Sequence, residues 1–584
     1  MGWSYSFDPI SKEDKHLRRL ALDRYALIGF ASSFAPLIAA LLVRGVLALL
    51  AYYNARNNPD SQGGRYAEIP TSPAIKAQRF TTQGKLAASW RKLVWWMQDD
   101  VQVAGTSWGQ KGDWLIGSIW TVWLLSLSVI GTGTDYFHLT KRFGMIAISQ
   151  FPMQYILALK PFNLAGFAFA SSHEEVNRYH RLLGRIVYGL VLLHMAFYLA
   201  YFLYANIVLK KLAEPIVFWG VLAAILFSSL MGTTMRAIRD FSYRIFFLVH
   251  VVAAFAIPML IFFHAHHAQR YVLIIPLVLF FADAGYRRFS GLTRQSTVEA
   301  IPGTNLLKLT VHMPKEKLEA YKAVPGSHVY LSLPAEARGI EKARGNLALL
   351  FECLFNPFTV AAVTEENQSL VLVVRTNRGP MTTALSRLSE SQSTRDTQLT
   401  IDGPYGSMKH HLPSLLASGA NRILLIAGGV GATFITPLYA HLAEALPMAR
   451  IQMIWAMRTA GEATWTVTTT EKSLLEDPRL QLYLTGDISG TQTTSHTDAA
   501  DDAEIELRPM NSSRHGRRGL TAQHNRRRPD LQKLIDDAFT LTREETVAVI
   551  VCGPESMAQD ARRHIRPWVM KGRSVWWHNE TFAW

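Results

Sequence analysis

The architecture of this chain rests on two apolar stretches that begin and end with histidine: HRLLGRIVYGLVLLH, from His180 to His194, and HVVAAFAIPMLIFFH, from His250 to His264. In each stretch the two histidines are fourteen positions apart. Fourteen residues of an α-helix rise about 21 Å and complete almost four turns, so both histidines lie on one face of the helix. If the two helices run in the same direction, His180 faces His250 and His194 faces His264.

Two facing imidazoles can ligate haem iron from opposite sides, and helical bundles hold cofactors between facing helices. The pattern therefore predicts two haem groups about 21 Å apart, each held by one histidine from each helix. A single membrane histidine is often only a polar residue that is hydrogen-bonded inside a bundle. Four histidines at matched spacing are better explained as ligands, because burying four imidazoles without partners is costly.

Length and composition indicate a membrane segment followed by soluble domains. The chain has 584 residues, which predicts three or four domains, and its 49% hydrophobic content is concentrated in the first half. The net charge of +15 comes from Lys and Arg near the ends of apolar spans and in one polar insert, which favours anionic lipid over nucleic acid as a partner. Two cysteines, Cys353 and Cys552, allow neither a disulfide framework nor a zinc or iron–sulfur spacing. The first 25 residues lack the apolar core of a cleaved signal peptide, so none is expected.

Seven apolar spans approach the roughly 20 residues needed to cross a membrane. They lie at about 26–52, 114–132, 143–159, 182–205, 215–232, 245–265 and 271–285. The third and the last are marginal in length, so we expect a membrane bundle of six to seven helices. The polar stretch 54–113 has a tip, 54–73, that is rich in Asn, Pro, Gly and Ser, which is typical of a loop.

Basic residues near the span ends predict the orientation, because cytosolic loops are enriched in Lys and Arg. The best arrangement places the C-terminal half in the cytosol and the N-terminus outside, although Lys141 and Arg142 then fall outside. His180 and His250 would lie toward the inner side, and the other two histidines toward the outer side. The residues placed inside are Arg178, Arg181, Arg185, Arg236, Arg239, Arg244, Arg287 and Arg288.

The remainder of the chain divides into two further domains after residues 1–113 and the haem-binding bundle 114–290. Short alternating β-rich runs with Gly and Pro turns predict an antiparallel barrel over 291–410. Strands that alternate with helices predict an α/β domain with a parallel, Rossmann-like sheet over 411–584. Residues 488–530 are polar and charge-segregated, and we interpret them as a disordered insert.

A glycine turn in AGGVGATFITP, 427–437, follows an apolar strand and begins a helix. Gly428, Gly429 and Gly431 would let the backbone approach a pyrophosphate, and the helix N-terminus offers free amides to it. A plain strand–helix turn also needs glycine, so this motif is weak alone. A later strand end supports it.

That later strand ends in VCGPESM, where Cys552, Gly553 and Pro554 follow the last apolar residues. Open α/β sheets bind ligands at such carboxyl strand ends, although a buried structural cysteine is the alternative. Arg458 ends another strand and is placed to meet a ribose 2′-phosphate, which would favour NADPH over NADH. A solvated loop arginine is the competing interpretation of Arg458.

The barrel region contains the candidate flavin contacts. NPFTVAA, 356–362, places an aromatic beside a hydroxyl after an apolar strand, and RTNRGPMTTAL, 375–385, places Arg375 and Gly379 before a helix N-terminus suited to phosphate. The terminal Trp584 could stack on a flavin ring, although an ordinary buried C-terminus would look the same.

Taken in order, the paired helical histidines, the GGVGAT stretch with its Phe and Pro, the CGPESM stretch and the aromatic C-terminus resemble the fungal ferric reductase family of membrane flavocytochromes, which is related to the NADPH oxidases. The resemblance spans about 114–584. It implies a ferredoxin-reductase-like cytosolic part, two bis-histidyl b-type haems, FAD and NADPH, with electrons crossing from the cytosol to the far side. The residues that it assigns are His180, His194, His250 and His264 as haem ligands, Arg181 and Arg185 at the haem propionates, Pro357, Phe358 and Thr359 at the flavin, and Thr433 in the glycine stretch.

The sequence departs from the family pattern at two flavin positions. Asn356 and Ala362 stand where the family normally has His and Ser, and Arg378 with Gly379 stands where more glycine is usual. Flavin affinity or potential is therefore expected to differ from that of typical members.

The expected activity is that of an NADPH-dependent ferric-chelate reductase that reduces Fe(III) or Cu(II) chelates across the membrane. A superoxide-producing NADPH oxidase is the first alternative, and His266 and His267 near the outer surface weakly favour metal over oxygen. A membrane transporter or scaffold with a degenerate nucleotide-binding tail is the alternative from another class. The expected location is the plasma membrane, with the vacuolar membrane as the alternative, and the oligomeric state is left open.

Overall fold

The computed structural model describes residues 5–7, 11–57, 82–103, 106–268, 271, 274–334, 355–376, 379–390, 396–466, 474–486, 523–541 and 545–581. The chain forms two compact units. The first comprises 1–65 and 96–289, and the second comprises 66–95 and 290–584.

The first unit is built mainly of helices. In chain order its elements are α1 (Lys12–Asn57), the end of α2 (Thr82–Met97), β1 (Asp100–Val103), β2 (Thr106–Gln110), α3 (Lys111–Val129), α4 (Tyr136–Ser149), α5 (Phe151–Ile156), α6 (Leu164–Phe169), α7 (His173–Tyr204), α8 (Val208–Leu212), α9 (Pro215–Thr233), α10 (Arg236–Phe241), α11 (Tyr243–His264) and α12 (Ile274–Ser290). Helix α9 packs along α11, and α4 packs along α7. A shared apolar core joins these helices.

Five helices among the described residues are long and apolar enough to cross a membrane: α1, α3, α7, α9 and α11. They match five of the seven predicted spans. The predicted span 143–159 is instead divided between α4 and α5, which meet at Gln150. Pro152, near the start of α5, has no backbone N–H to continue the ladder of hydrogen bonds. The predicted span 271–285 corresponds to α12, whose 17 described residues lie at the lower limit of spanning length.

Arg142 corrects one step of the orientation argument. The sequence predicts a basic residue on the outside at this position, but the side chain of Arg142 is fully buried. Its guanidinium donates to the carbonyls of Leu127 and Ile130, at 3.2 and 3.3 Å, and lies 3.7 Å from the ring centre of Tyr25. A buried arginine with internal partners is not a loop charge, so it does not count against the predicted orientation.

A closed antiparallel barrel begins the second unit, as the alternating pattern predicts. Its strands follow the order β3–β4–β7–β6–β5–β8 around the barrel. Inward-facing apolar residues from these strands fill its interior. The elements are β3 (Leu292–Ala300), β4 (Leu306–His312), α13 (Lys315–Lys322), β5 (His328–Ser332), β6 (Asn356–Thr364), β7 (Ser369–Arg375), α14 (Pro380–Glu390) and β8 (Asp396–Tyr405).

A six-stranded parallel sheet follows, in the order β12–β11–β10–β9–β13–β14. The chain moves outward from β9 in one direction and returns to β13 on the other side, which creates the switch point where such sheets bind ligands. The elements are α15 (Met408–Ala417), β9 (Ala420–Gly428), α16 (Ala432–Ala445), β10 (Arg450–Met457), β11 (Leu480–Leu484), β12 (Gln523–Asn525), α17 (Leu531–Thr540), β13 (Thr546–Cys552), α18 (Glu555–Met570) and β14 (Val575–Glu580).

The predicted insert 488–530 overlaps this sheet at its end. Most of it lies outside the described residues, but Gln523–Asn525 forms β12 and pairs in parallel with β11. A three-residue polar strand at a sheet edge has no apolar alternation, so the sequence pattern does not reveal it.

The polar stretch 54–113 also contains structure that its composition does not indicate. Helix α1 continues to Asn57, so the first residues of the predicted loop 54–73 are helical, and the others lie outside the described residues. Helix α2 follows, and its Trp95 is buried in an apolar cluster formed by the parallel sheet with α17 and α18.

Candidate functional site

The four histidines of the membrane unit form two pairs. The ring centres of His180 and His250 are 6.1 Å apart, and those of His194 and His264 are 6.2 Å apart. The first member of each pair comes from α7 and the second from α11. These are the pairs expected if the two helices run in the same direction.

The spacing within each pair fits a metal held from both sides. A metal–imidazole bond is about 2 Å long, so two rings that bind one ion through opposite nitrogens have their centres about 6 Å apart. Both measured separations agree with that value. The residues present therefore fit bis-histidyl haem ligation.

Backbone carbonyls hold three of the rings from behind. Nδ1 of His180 donates to the carbonyl of Gln154 at 2.9 Å, Nδ1 of His194 to that of Thr140 at 2.8 Å, and Nδ1 of His264 to that of Ile216 at 2.7 Å. A carbonyl can only accept, so these contacts place the proton on Nδ1 and leave Nε2 as a lone-pair donor. Such contacts are typical of metal-binding histidines. Among the described residues no hydrogen-bond partner meets Nδ1 of His250.

Glycines on neighbouring helices make room for two of the rings. A Cβ atom at Gly144 of α4 would lie 2.9 Å from Nδ1 of His194, and one at Gly220 of α9 would lie 2.5 Å from Cε1 of His264. Both glycines therefore allow the backbone to approach the second histidine pair more closely than any other residue would.

Arg181 and Arg185 lie near the His180 end of α7 and are exposed. Helix geometry places them about 100° and 140° around α7 from His180, so neither shares the histidine face. Their contact with haem propionates stays a prediction.

The glycine turn and the cysteine loop meet at the carboxyl edge of the sheet, between β9 and β13. A Cβ atom at Gly428 would lie 2.6 Å from Cδ of Pro554 and 3.2 Å from Cα of Gly553. One at Gly431 would collide with the carbonyl of Cys552. Glycine is required at these two positions because the two loops are in direct backbone contact.

The remaining residues of the turn have different roles. Gly429 has a φ of 54°, which favours glycine, and its carbonyl accepts from Nε1 of Trp455 at 3.0 Å. Thr433 is buried, and its hydroxyl donates to the carbonyl of Val430 at 2.9 Å, so it stabilises the start of α16.

Arg458 is exposed at the carboxyl end of β10, the strand beside β9. It therefore lies on the edge of the sheet where its predicted ligand would bind.

The predicted flavin residues occupy the first half of β6. Phe358 packs against the barrel core, and Pro357 and Thr359 lie on the opposite face of the strand. Gly379 precedes α14 and accepts from the backbone N–H of Thr383 at 3.0 Å. Arg378 and Trp584 lie outside the described residues.

Arg375 points from the end of β7 toward the glycine turn. Its Nη2 atom is 3.7 Å from Oε2 of Glu462, and a Cβ atom at Gly429 would lie 2.9 Å from the same nitrogen. The arginine predicted for a flavin phosphate therefore also borders the predicted nucleotide site.

Sequence models of three families match successive parts of the chain. The ferric reductase like transmembrane component matches 143–261, an FAD-binding domain matches 292–409, and the ferric reductase NAD binding domain matches 420–565. These matches, together with the metalloreductase relatives, support the fungal ferric reductase family. The predicted order of a membrane bundle, an FAD-binding barrel and a nucleotide-binding α/β domain is confirmed, and the chain is an integral membrane oxidoreductase.

Individual relatives are distant but extensive. The chain is 22% identical over 489 residues to "Probable metalloreductase AIM14" of Scheffersomyces stipitis, covering 80% of this chain and 86% of the relative. It is 21% identical over 480 residues to "Ferric/cupric reductase transmembrane component 2" of Schizosaccharomyces pombe, covering 75% and 80%. Among solved structures, a flavohemoglobin from Malassezia yamatoensis with bound FAD and heme has a TM-score of 0.32 and 13% identity, covering 79% of this chain and 99% of that one.

The cysteine loop has beside it a carboxylate that the sequence motifs did not identify. Glu580 is the register partner of Cys552 across β13 and β14. It accepts from the hydroxyl of Ser407 at 2.7 Å and lies 3.0 Å from Nε2 of His578. Burial, together with the nearby charge of Glu580, raises the pKa of the Cys552 thiol well above its usual value, so the thiol is neutral.

Glu462 of the reductase was also missed. It is buried beside Arg375 and the glycine turn, in a short 3₁₀ segment (Ala460–Thr466) that follows β10. The available signal was its position just beyond a carboxyl strand end, where acidic residues of such sheets often meet a ligand.

Proposed function

We propose that this oxidoreductase is a transmembrane metalloreductase that passes electrons from NADPH, by way of FAD and two b-type haems, to Fe(III) or Cu(II) chelates on the opposite side of the membrane. The observation that carries the proposal is the pair of ring separations, 6.1 Å for His180 and His250 and 6.2 Å for His194 and His264. The names of the metalloreductase and ferric/cupric reductase relatives support the choice of acceptor.

The bound flavin supplies the conversion of a two-electron hydride transfer into single-electron transfers to haem. In the proposal, the backbone of Gly428, Gly429 and Gly431 and the free amides at the start of α16 bind the dinucleotide pyrophosphate. Arg458 binds the ribose 2′-phosphate, which selects NADPH. The loop Cys552–Pro554 then borders the nicotinamide, since it meets the glycine turn at the switch point of the sheet.

The flavin is assigned to the barrel. Pro357, Phe358 and Thr359 of β6 would lie along it, and Arg375 with the N-terminus of α14 after Gly379 would hold its phosphates. We propose that Trp584 stacks on the flavin ring.

The direction of transfer follows from the distribution of charge. Arginines cluster near α10 and at the end of α12, and cytosolic loops are enriched in such residues. With Arg142 removed from the count, only Lys141 opposes this orientation. We therefore assign the FAD- and NADPH-binding domains to the cytosol and the His194–His264 pair to the outer side, in the plasma membrane or, as the alternative, the vacuolar membrane.

The acceptor site would need no open coordination position. In the proposal one imidazole from each helix would hold each haem iron, so a chelated metal acceptor would not need to bind to that iron. His266 and His267 are exposed just after α11, close along the chain to His264. Imidazole binds Fe and Cu ions, and these side chains favour a metal acceptor over oxygen.

The test uses the full chain in lipid vesicles, with its nucleotide-binding part facing outward and an Fe(III) chelate enclosed. Addition of NADPH should produce Fe(II) inside the vesicles, and a dithionite-reduced sample should show a b-type spectrum with two haems and one FAD per chain. Absence of a b-type signal would overturn the electron path. Superoxide release in place of Fe(II) formation would identify an oxidase instead.

A further inference from the structure

Helix α2 presents an apolar stripe to solvent. Leu86, Trp90 and Leu93 are 66%, 65% and 45% exposed. They are four and three residues apart, so they lie within about 60° of one another around the helix. Exposed large apolar groups that share one face mark an interaction surface rather than scattered surface residues.

The opposite face of α2 is attached to the nucleotide-binding domain. Trp95, about 180° around the helix from the middle of the stripe, is only 5% exposed. The guanidinium of Arg562 lies 4.1 Å from its ring centre and donates to its carbonyl at 2.6 Å, and the ring of Trp577 is 6.0 Å away. These contacts fix the rotation of α2, so the stripe stays directed outward.

The charge of α2 is entirely positive. The helix TQGKLAASWRKLVWWM carries Lys85, Arg91 and Lys92 and no acidic residue. Lys85 and Lys92 lie about 110–130° from the centre of the stripe, where their ends can reach the lipid headgroups while the stripe is immersed. Leucine and tryptophan on one face with lysine beside it is the pattern of a helix that lies in the interface of an anionic bilayer.

The C-terminal end of α2 reaches the start of a spanning helix. Nζ of Lys111, the first residue of α3, lies 5.4 Å from the ring centre of Trp96, and the backbone N–H of Lys111 donates to the carbonyl of Asp99 at 2.8 Å. A Cβ atom at Gly112 would lie 3.1 Å from the carbonyl of Met97. Helix α3 is one of the five helices that are long and apolar enough to cross a membrane, so the last residues of α2 contact the start of a candidate spanning helix.

We propose that Leu86, Trp90 and Leu93 insert into the headgroup–acyl boundary of an anionic bilayer while Trp95 stays bound to the nucleotide-binding domain. The bilayer is favoured over a protein partner because the same helix combines an exposed Trp–Leu stripe, an all-positive charge and a C-terminal end that contacts the start of a candidate spanning helix. This surface is independent of the electron path proposed above.

The test measures the depth of single spin labels in the full chain. Leu86→Cys and Leu93→Cys are labelled in a Cys353→Ser background, with Cys552 kept because it is buried, and the chain is placed in nanodiscs of phosphatidylcholine with phosphatidylserine; unsubstituted Cys353→Ser protein gives the background labelling. Ala87→Cys is the matched control, because it is exposed on the same helix but lies about 100° from Leu86. Each label's collision rates with oxygen, which concentrates in lipid, and with a water-soluble nickel chelate are compared. Thermal unfolding checks that the three variants fold alike.

The proposal expects a several-fold higher ratio of oxygen to nickel collisions at Leu86 and Leu93 than at Ala87, and a smaller difference in pure phosphatidylcholine. A water-like ratio at all three positions would overturn it. So would exclusion of both reagents from Leu86 and Leu93, which would show that a protein surface or a second copy of the chain covers the stripe.

Discussion

Gly220 lies directly against the ring of His264, so closely that a Cβ atom there would come within 2.5 Å of Cε1. Nδ1 of this ring donates to the carbonyl of Ile216, one turn earlier on α9. Helix α9 therefore sets the position of His264 through its backbone, and any side chain at residue 220 must displace the ring.

The variant Gly220→Ala is expected to disturb the outer haem alone. The added methyl group should push His264 away from His194, so that the outer haem is lost or its midpoint potential shifts, while the inner haem is unchanged. Redox titration of the b-type absorbance, resolved into two components, measures this.

The matched control for Gly220→Ala is Gly232→Ala on the same helix, where a Cβ atom would meet nothing within 4 Å. Its titration should match that of the wild type. If the two variants changed the titration equally, the effect of Gly220→Ala would come from general destabilisation of α9 and not from displacement of the His264 ring.

Removing one ligand should separate the two halves of the electron path. His194→Ala is expected to lose the outer haem and transmembrane metal reduction, and NADPH oxidation by soluble artificial acceptors should survive because the flavin site is untouched. Haem content per chain and the two activities are measured together.

His266→Ala provides the comparison for His194→Ala, since His266 is exposed beyond the end of α11. It should keep both haems. Unchanged haem content in His194→Ala would count against the ligand assignment.

Arg458 is expected to select the cofactor. Charge-assisted contacts contribute about 1.5–3 kcal/mol, so Arg458→Ala should raise KM for NADPH roughly 10- to 100-fold and leave KM for NADH nearly unchanged. Steady-state reduction of a soluble acceptor with each nucleotide gives both values.

Arg450→Ala is the control for Arg458→Ala, because Arg450 is exposed at the amino end of the same strand, β10, far from the ligand edge. Neither KM should change. Equal KM increases for NADPH and NADH in Arg458→Ala would show that the arginine does not read the 2′-phosphate.

Cys552 is expected to resist alkylation in the native protein. Burial and the charge of Glu580 raise the pKa of its thiol, and only the thiolate reacts readily. In a Cys353→Ser background, incorporation of N-ethylmaleimide at pH 8 should therefore be slow in the native state and rapid after denaturation, as read by mass spectrometry. Fast native labelling would contradict the closed arrangement of this loop.

Asp477 is expected to stabilise the nucleotide-binding domain in a pH-dependent way. Burial opposes its ionisation, but hydrogen bonds from Arg479 and Tyr439 outweigh burial and lower the pKa of Asp477 to about 2. Because the folded-state pKa lies below the unfolded value of about 3.9, the stabilisation is complete above that value and disappears as pH falls through about 2.

The variant Asp477→Asn should therefore lower the free energy of unfolding by about 1–2 kcal/mol at pH 7. Its difference from the wild type should shrink between pH 4 and pH 2, as measured by thermal unfolding. Asp560→Asn, which removes an exposed ion pair with Arg563, should have almost no effect. A difference that stays constant with pH would contradict the role of the Asp477 carboxylate.

The spacing of His180 and His194, and of His250 and His264, was sufficient to predict which histidines face one another. The sequence also predicted the alternating strands of the barrel and the glycine turn after β9. Each of these signals is local, because helix and strand periodicity decide which side chains share a face within a single element.

Contacts between distant segments had no such signal. The burial of Arg142 and Trp95, the division of a predicted span at Gln150, and the meeting of Glu580 with Cys552 all depend on surfaces that come together only when the chain packs. Periodicity predicts which face of a helix or strand is apolar, but not which other helix or strand packs against that face. That choice depends on the packing of the whole fold, because a contact surface is complementary only to the particular surface that meets it.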